Sequence, residues 1–576
     1  MSKTFIEKYQ NFIVILLLAI FFISATASMA QKAATSDEVT HLAAGYSYWK
    51  TQDFRMNEEH PPLMKLMAGF PLLFINPTLD TDNIYWEEDD QWKFAKEFLY
   101  NGKNNPDQLL FWGRIPFVLL GLLLGVYIFR WAKELYGVKA GLFALTLYTF
   151  SPNILANTRL VHTDLGITAF LVITLYYFSK LLEKSTIKNA IIVGILVGLT
   201  NATKFTGVYL FPIMALLFLV HLYYKKLERK IYYYKKEEVR NHLKKWTTLA
   251  IVMLICAAAV ITISYMIINI SQYPAGLQFV IEHSTDGHPN FLFGEYSIDG
   301  WWYYFILAFI IKTPIPIILL LIITIIFFKN VKHKDTLQEW IIITPMILYL
   351  IAFMLNDINI GIRHILPCYA FIFIFISKIV NIEIKKKKLM QIALIIVAVW
   401  YIFSSITIFP HYLSYFNEAV DGPDNGQKYL LDSNIDWGQD AMLLQKWLDG
   451  EGLNNKETRV EIFTNERINN PKTLSDLYRF KANRIPCQPT SGIIAISVNK
   501  LFNMGQLHEK NCVAWLERYT PFKKIGYSIF IYNITDEKLV EQKQTCMQTC
   551  TASCEAKEET FSDYIYKDNR CVCSCD

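Results

Sequence analysis

The chain has 576 residues, 53% of them hydrophobic and 15% aromatic, with only 19% charged and a formal net charge of +5. A mean hydropathy of +0.24 excludes a soluble enzyme of this size and points to a polytopic membrane protein. The positive balance does not call for a nucleic-acid partner, because the lysines stand in short clusters between apolar runs, where they set topology.

In chain order, residues 12–30 are long and apolar enough to span a bilayer, with Lys3 and Lys8 before them. The small residues of SATASMA leave a cleaved signal peptide as the alternative, and either reading puts Ser36 outside. Residues 31–108 then form an external loop, polar and rich in tryptophan, with amphipathic stretches suited to lying along the interface. Further spans are expected at about 109–129, 140–154, 165–182, 190–200, 205–223, 249–270, 302–328, 340–355, 365–380 and 390–409, about 11 in all. Two of these are short, which leaves the number open by about two.

Arg130 and Lys133, Lys180 to Lys188, Lys225 to Lys245, Lys329 to Lys334 and Lys385 to Lys388 all fall in loops on one side, whereas 271–300 on the other side holds no Lys or Arg. The positive-inside rule therefore predicts a cytoplasmic N-terminus and an extracytoplasmic C-terminus, in the plasma (inner) membrane. After Pro410 the composition turns to Gly, Asn, Asp and charged residues between strand-like runs such as GIIAISV and YSIFIYNI. That predicts a compact extracytoplasmic α/β domain over 411–545.

The tail, 546–576, carries CMQTCTASC and then CVCSC. An even number of cysteines in a small external segment with little core favours disulfides, with a thiolate metal site as the rival. Cys487 and Cys512 are candidates for one more bridge, while Cys256 and Cys368 lie within spans and read as packing.

Asp37, Glu38, His41, Glu59, His60, Arg114, Arg159, Asp164, Lys204, Glu282, His283, Asp286, Asp357, Arg363 and His364 all fall at the external side. Taken singly, any of them reads first as an interfacial charge that snorkels to water. Arg114 and Asp164 fit that reading poorly, since each adjoins an apolar span with few other charges.

DEVTH at 37–41 and EHPPLMKL at 59–66, followed by WGRIPFVLLG around Arg114 and TRLVHTD from Thr158 to Asp164, together resemble the protein O-mannosyltransferase family of GT-C glycosyltransferases. GIRHILP at 361–367 and DSNIDWGQD at 432–440 look like segments of bacterial members of that superfamily. The resemblance covers residues 37–410 best and implies a GT-C membrane domain over 1–410. It implies inverting transfer of a hexose, mannose by the family, from a polyprenyl-phosphate-linked donor to a Ser or Thr hydroxyl of a protein. A lipid or cell-envelope glycan acceptor, as in the aminoarabinose transferase acting on lipid A, is the alternative. A non-enzymatic transporter fits less well, because the acids gather at one face rather than at the midplane.

Such chemistry needs a carboxylate to take the acceptor proton. Asp37 is the first choice, Glu38 the alternate, and Asp164 a second acidic position; the competing reading of Ser36 or Asp37 is a helix N-cap. The leaving phosphate needs cations, for which Arg114, Arg159, Lys204, Arg363 and His364 are candidates. His60, between Glu59 and two prolines, is expected to order the loop or meet substrate. A divalent metal stays open with Glu59, His60 and His162 as ligands, although no metal-dependent Asp-x-Asp signature stands out. An apolar groove for the lipid chain is implied but has no sequence signature. DSNIDWGQD reads either as a sugar-stacking site built on its tryptophan or, preferably, as a turn and cap.

Overall fold

The computed structural model describes residues 5–100, 102–228, 236–285, 287–328, 336–383, 387–453, 458–463, 485–504, 511–556, 561–567 and 570–575. Among them, eight helices are long and apolar enough to cross a membrane, from Ile6–Met29 to Lys388–Thr407. A ninth candidate, Tyr304–Lys312 with Ile315–Ile326, is bent by 113°. Pro314 at the break offers no N–H to continue the helix. The two short spans expected at 140–154 and 190–200 correspond to the shorter apolar helices Val138–Thr149 and Ile187–Thr203. Basic residues 229–235, 329–335 and 384–386 of the expected cytoplasmic loops, and Asp286, lie outside the described residues.

Thr163–Glu183 and Ile362–Asn381 form the middle of the bundle, with 89% and 83% of their apolar windows buried, against 17% for Lys388–Thr407. The first external segment folds back on this bundle as helices Ser36–Thr51, Leu63–Gly69 and Gln91–Tyr100. Ser36–Thr51 and Leu63–Gly69 cross with their backbones almost in contact. A Cβ on Gly45 would meet the Lys65 carbonyl oxygen at 1.9 Å, and one on Gly69 would meet the Gly45 backbone at 2.4 Å. Only glycine permits this approach, and the approach keeps the end of the His-Pro-Pro loop against the helix that starts at Ser36.

Beyond the last span, residues 411–440 are mostly short 3-10 turns laid on the helix ends. The Asn417 side-chain amide donates to the carbonyls of Ile310 and Thr313, at 2.6 and 2.8 Å. A four-stranded sheet follows, with Thr458–Glu461 parallel to Gly492–Ser497, then Ile529–Ile534 and Lys523–Ile525 antiparallel. The runs read as strands, GIIAISV and YSIFIYNI, are the two neighbouring central strands. Helix Ala441–Gly450 packs Leu444 and Leu448 on this sheet, and Ala33 from the first external segment joins the same apolar cluster.

The cysteine tail is helix Asp536–Glu555 stapled to the hairpin of Phe561–Lys567 and Arg570–Cys575. Cys546 pairs with Cys571, Cys550 with Cys573, and Cys487 with Cys512; Cys256 and Cys368 are free thiols. Cysteines four apart put their sulfurs on one helix face, so successive turns meet alternate residues of one strand.

The glycine crossing gives a stability prediction. Gly45→Ala should lower the thermal unfolding midpoint of the purified protein, with a cost of about 1–3 kcal/mol for overpacking. Gly450→Ala, where nothing lies within 4 Å, should leave the midpoint unchanged in the same assay.

Candidate active site

The helix that begins at Ser36 is capped one residue earlier than the sequence suggests. Thr35 is the cap, and Glu38 reaches back to accept from the Thr35 N–H at 2.9 Å. Neither Ser36 nor Asp37 is used in capping. Glu38 is fully buried and also takes a bidentate pair from Arg114, Nε and Nη2 each at 2.7 Å, and the Val161 N–H at 2.8 Å. Burial by itself raises this carboxyl; Arg114 and the two backbone N–H groups outweigh it and hold the carboxyl below the ordinary glutamate range. Arg114 spends its remaining N–H groups on the carbonyls of Met29, Lys32 and Ala33. All five of its donors are thereby engaged, and the pair Glu38–Arg114 is a strap between the first external helix and two spans.

Asp37 points elsewhere. Its Oδ2 accepts from Arg363 Nη1 at 3.1 Å, and its side chain is 26% exposed. The same Arg363 nitrogen lies 3.4 Å from Asp164 Oδ2. Asp164, only 2% exposed at its side chain, also takes Lys204 Nζ at 2.6 Å and faces His162 Nδ1 at 3.1 Å. Four widely separated segments therefore bring Asp37, Asp164, Lys204 and Arg363 into one cluster. Arg363 Nε donates to Ser433 at 3.1 Å, and its guanidinium lies 4.0 Å from the centre of the Trp437 ring. Its Nη2 makes no hydrogen bond among the described residues, and Lys204 keeps donors beyond the one given to Asp164.

The His-Pro-Pro loop forms one wall. His41 and His60 stand edge to face at 5.4 Å. Burial lowers His41 to about 4 and His60 well below its ordinary value, so both rings are neutral at neutral pH. Lys65 donates to the backbone carbonyls of Asn57 and His60, and burial lowers it to about 7. Glu59 accepts from Gln91 at 2.8 Å, and burial raises its carboxyl. Glu59 and His60 thus order this loop around Lys65.

Arg159 is buried away from the cluster, with Nη1 on the Ser28 carbonyl and Nε without a partner among the described residues; burial lowers it to about 10. His364 is set beside the rings of Phe305 and Phe353, and its Nε2 has no partner among the described residues. Glu59, His60 and His162 do not converge, since His162 turns to Asp164 and the Asn157 carbonyl. No three metal-ligating side chains group together among the described residues.

The sequence reading missed Lys65, Lys32 with Asp440, and Asn434. A lysine five residues past His60 was visible as part of EHPPLMK, but its carbonyl partners are set by tertiary structure. The indole of Trp437 is 3% exposed, with Arg363 over its face, and is closed to a sugar ring.

An apolar groove of about 970 Å³ is lined by Trp49, Leu66, Phe70, Phe74, Trp112 and Leu199 among others. Leu66 adjoins Lys65 on one short helix, and Leu199 is five residues before Lys204. The helix that carries Leu199 ends at Lys204 of the cluster.

Residues 108–236 match the model of a family described as dolichyl-phosphate-mannose-protein mannosyltransferase. The stretch includes Arg114, Arg159, Asp164 and Lys204, but neither the 37–65 region nor Arg363. The chain resembles that family over this stretch and is a membrane glycosyltransferase. No curated protein matches the chain. Among solved structures, ArnT from Cupriavidus metallidurans bound to undecaprenyl phosphate is similar at 10% identity and a TM-score of 0.47, over 90% of this chain and 97% of that one. An oligosaccharyltransferase from Archaeoglobus fulgidus in the apo form reaches 9% and 0.46, over 85% and 62%. The Pmt1-Pmt2 complex of S. cerevisiae bound to the sugar donor reaches 15% and 0.33, over 52% and 41%. These likenesses are loose, and the functional reading stands on the family match and the geometry of the site.

The strap and the cluster should separate experimentally. Arg114→Gln leaves Glu38 buried without its cation and should cost about 3–5 kcal/mol, read as loss of folded protein or a large drop in melting point. The Glu38 contribution is present above the ordinary glutamate pKa and is lost as pH falls through the lowered one, so acid should destabilise the native chain. Arg363→Gln, at the cluster, should leave the melting point within a few degrees.

Proposed function

We propose that this membrane glycosyltransferase moves a hexose, mannose by its family match, from a polyprenyl-phosphate carrier to a Ser or Thr hydroxyl of a protein, with inversion, on the extracytoplasmic side. The observation that carries the reading is the single partly exposed carboxylate of the cluster, Asp37, held 3.1 Å from an arginine that has donors to spare. A base must reach the acceptor, and Asp164, bonded to Lys204 and nearly without exposure, is poorly placed to do so.

In the reaction the acceptor oxygen attacks the anomeric carbon from the face opposite the phosphate, and the bond from that carbon to the phosphate oxygen breaks. Asp37 takes the hydroxyl proton. Charge grows on the departing phosphate, which Lys204 and Nη2 of Arg363 stabilise, arginine's fork suiting two phosphate oxygens. Asp164 holds both cations in place, and Arg114 is a scaffold residue in this scheme rather than a phosphate ligand. Arg159 contributes background charge, and His364 packs against Phe305 and Phe353.

The groove beside Lys65 and Lys204 is offered as the seat of the lipid chain, its aromatic and aliphatic walls suiting a polyprenyl tail. The family description, which names a mannose donor on dolichyl phosphate and a protein acceptor, supports both choices. The extracytoplasmic placement is supported by the absence of Lys and Arg from 271–300.

Membranes containing the native chain should transfer label from polyprenyl-phosphate mannose to protein, and Asp37→Asn should lower that rate by about 10²–10⁴ without releasing the bound lipid phosphate. Label appearing in a glycolipid instead would assign the acceptor to the lipid class. Undiminished transfer in Asp37→Asn would remove Asp37 from the base role.

A further inference from the structure

The run from Asp432 to Asp440, DSNIDWGQD, belongs in sequence to the external domain, yet it touches Arg363 and the residues just before Asp37. On one side, the Ala33 N–H donates to the Gln439 carbonyl and the Ser36 N–H to the Trp437 carbonyl, each at 3.0 Å. Lys32 forms a buried ion pair with Asp440. These bonds fix the chain immediately before Asp37. On the other side, the Ile362 N–H donates to Asn434 Oδ1 at 3.0 Å, Arg363 Nε donates to Ser433 Oγ at 3.1 Å, and the guanidinium sits on the indole of Trp437.

The run is itself rigidly held. Asn434 accepts Lys312 Nζ on its carbonyl at 2.6 Å and gives its amide to the Tyr304 hydroxyl at 2.9 Å. Asn499, at the end of a central strand, donates to the Asp436 carbonyl at 2.7 Å and accepts the Asp432 N–H at 2.9 Å. Two residues that lie 326 positions apart in sequence thus take their spacing from a third segment.

We infer that Trp437 is a positioning residue for the transfer site: its indole face, carried between the Ser36 and Arg363 contacts, holds the Arg363 guanidinium in the plane that serves Asp37, Asp164 and the lipid phosphate together. The hydrogen bonds from Nε and Nη1 act within the guanidinium plane, and the indole face adds the contact perpendicular to that plane which resists tilting. Burial at 3% exposure removes water as a competitor for the cation. The inference rests on the functional reading above, in that it takes Arg363 to face the donor phosphate.

The test is binding of undecaprenyl phosphate to the purified full-length chain, comparing native, Trp437→Phe, Trp437→Leu, Arg363→Gln and the double variant Trp437→Leu/Arg363→Gln, with melting points taken alongside. Trp437→Phe keeps an aromatic face and should bind within about threefold of native; Trp437→Leu should bind about tenfold more weakly. In the Arg363→Gln background the Trp437→Leu loss should vanish, because the indole acts through the arginine. A packing role would predict the same loss in both backgrounds, and that result, or native affinity in Trp437→Leu, overturns the inference. If Trp437→Leu does not fold, the cycle is run with Trp437→Phe, whose smaller loss should also vanish without Arg363. A native chain that does not bind the lipid overturns the functional reading itself, whereas a native signal with additive variants overturns the positioning role alone.

Discussion

The buried pair of Glu38 and Arg114 is the constraint on which the external face depends. An arginine inside a membrane protein is costly unless every N–H is met. Here a carboxylate and three carbonyls meet them all, and those carbonyls belong to the residues that leave the first span. The first span, the helix after it and the span carrying Arg114 are therefore locked at one point. Because Glu38 turns inward to this pair, its neighbour Asp37 is turned toward Arg363, as adjacent helical residues face about 100° apart. One acid of the DE pair is spent on structure so that the other is aimed.

Around Asp37 the charges are balanced rather than accumulated. Asp164 faces Lys204 and Arg363, and the rings of His41 and His60 in the neighbouring loop wall are neutral by burial. A cluster so paired is stable without ligand, yet Arg363 and Lys204 retain N–H groups for an incoming anion. In the proposed reaction this pairing is preorganised, so its dipoles need little reorientation when charge moves onto a phosphate.

The external domain takes part in this site through a short run rather than through its sheet. Residues 432–440 pair with the start of the first external segment, and Asn499 ties the same run to the sheet. Ala33 sits in the apolar cluster of that domain. The domain is consequently coupled to the site by backbone hydrogen bonds, which tolerate little sliding.

From the amino-acid pattern alone, the membrane class, the eight long apolar helices, the two central strands and the cysteine staples could be read, because hydrophobic period and cysteine spacing are local properties, whereas the bend of 113° within 302–328 was not. The membership of Asp37, Asp164, Lys204 and Arg363 in one site was legible through motifs and through the side of the membrane on which each falls. What the pattern left open was the division of labour. Glu38 and Asp37 are adjacent and chemically alike, Arg114 and Arg363 are the same residue type, and only their partners distinguish scaffold from site. The Arg363 guanidinium on Trp437 and the groove beside Lys65 were decided by tertiary structure alone, since each joins residues whose separation in the chain carries no record of their separation in space.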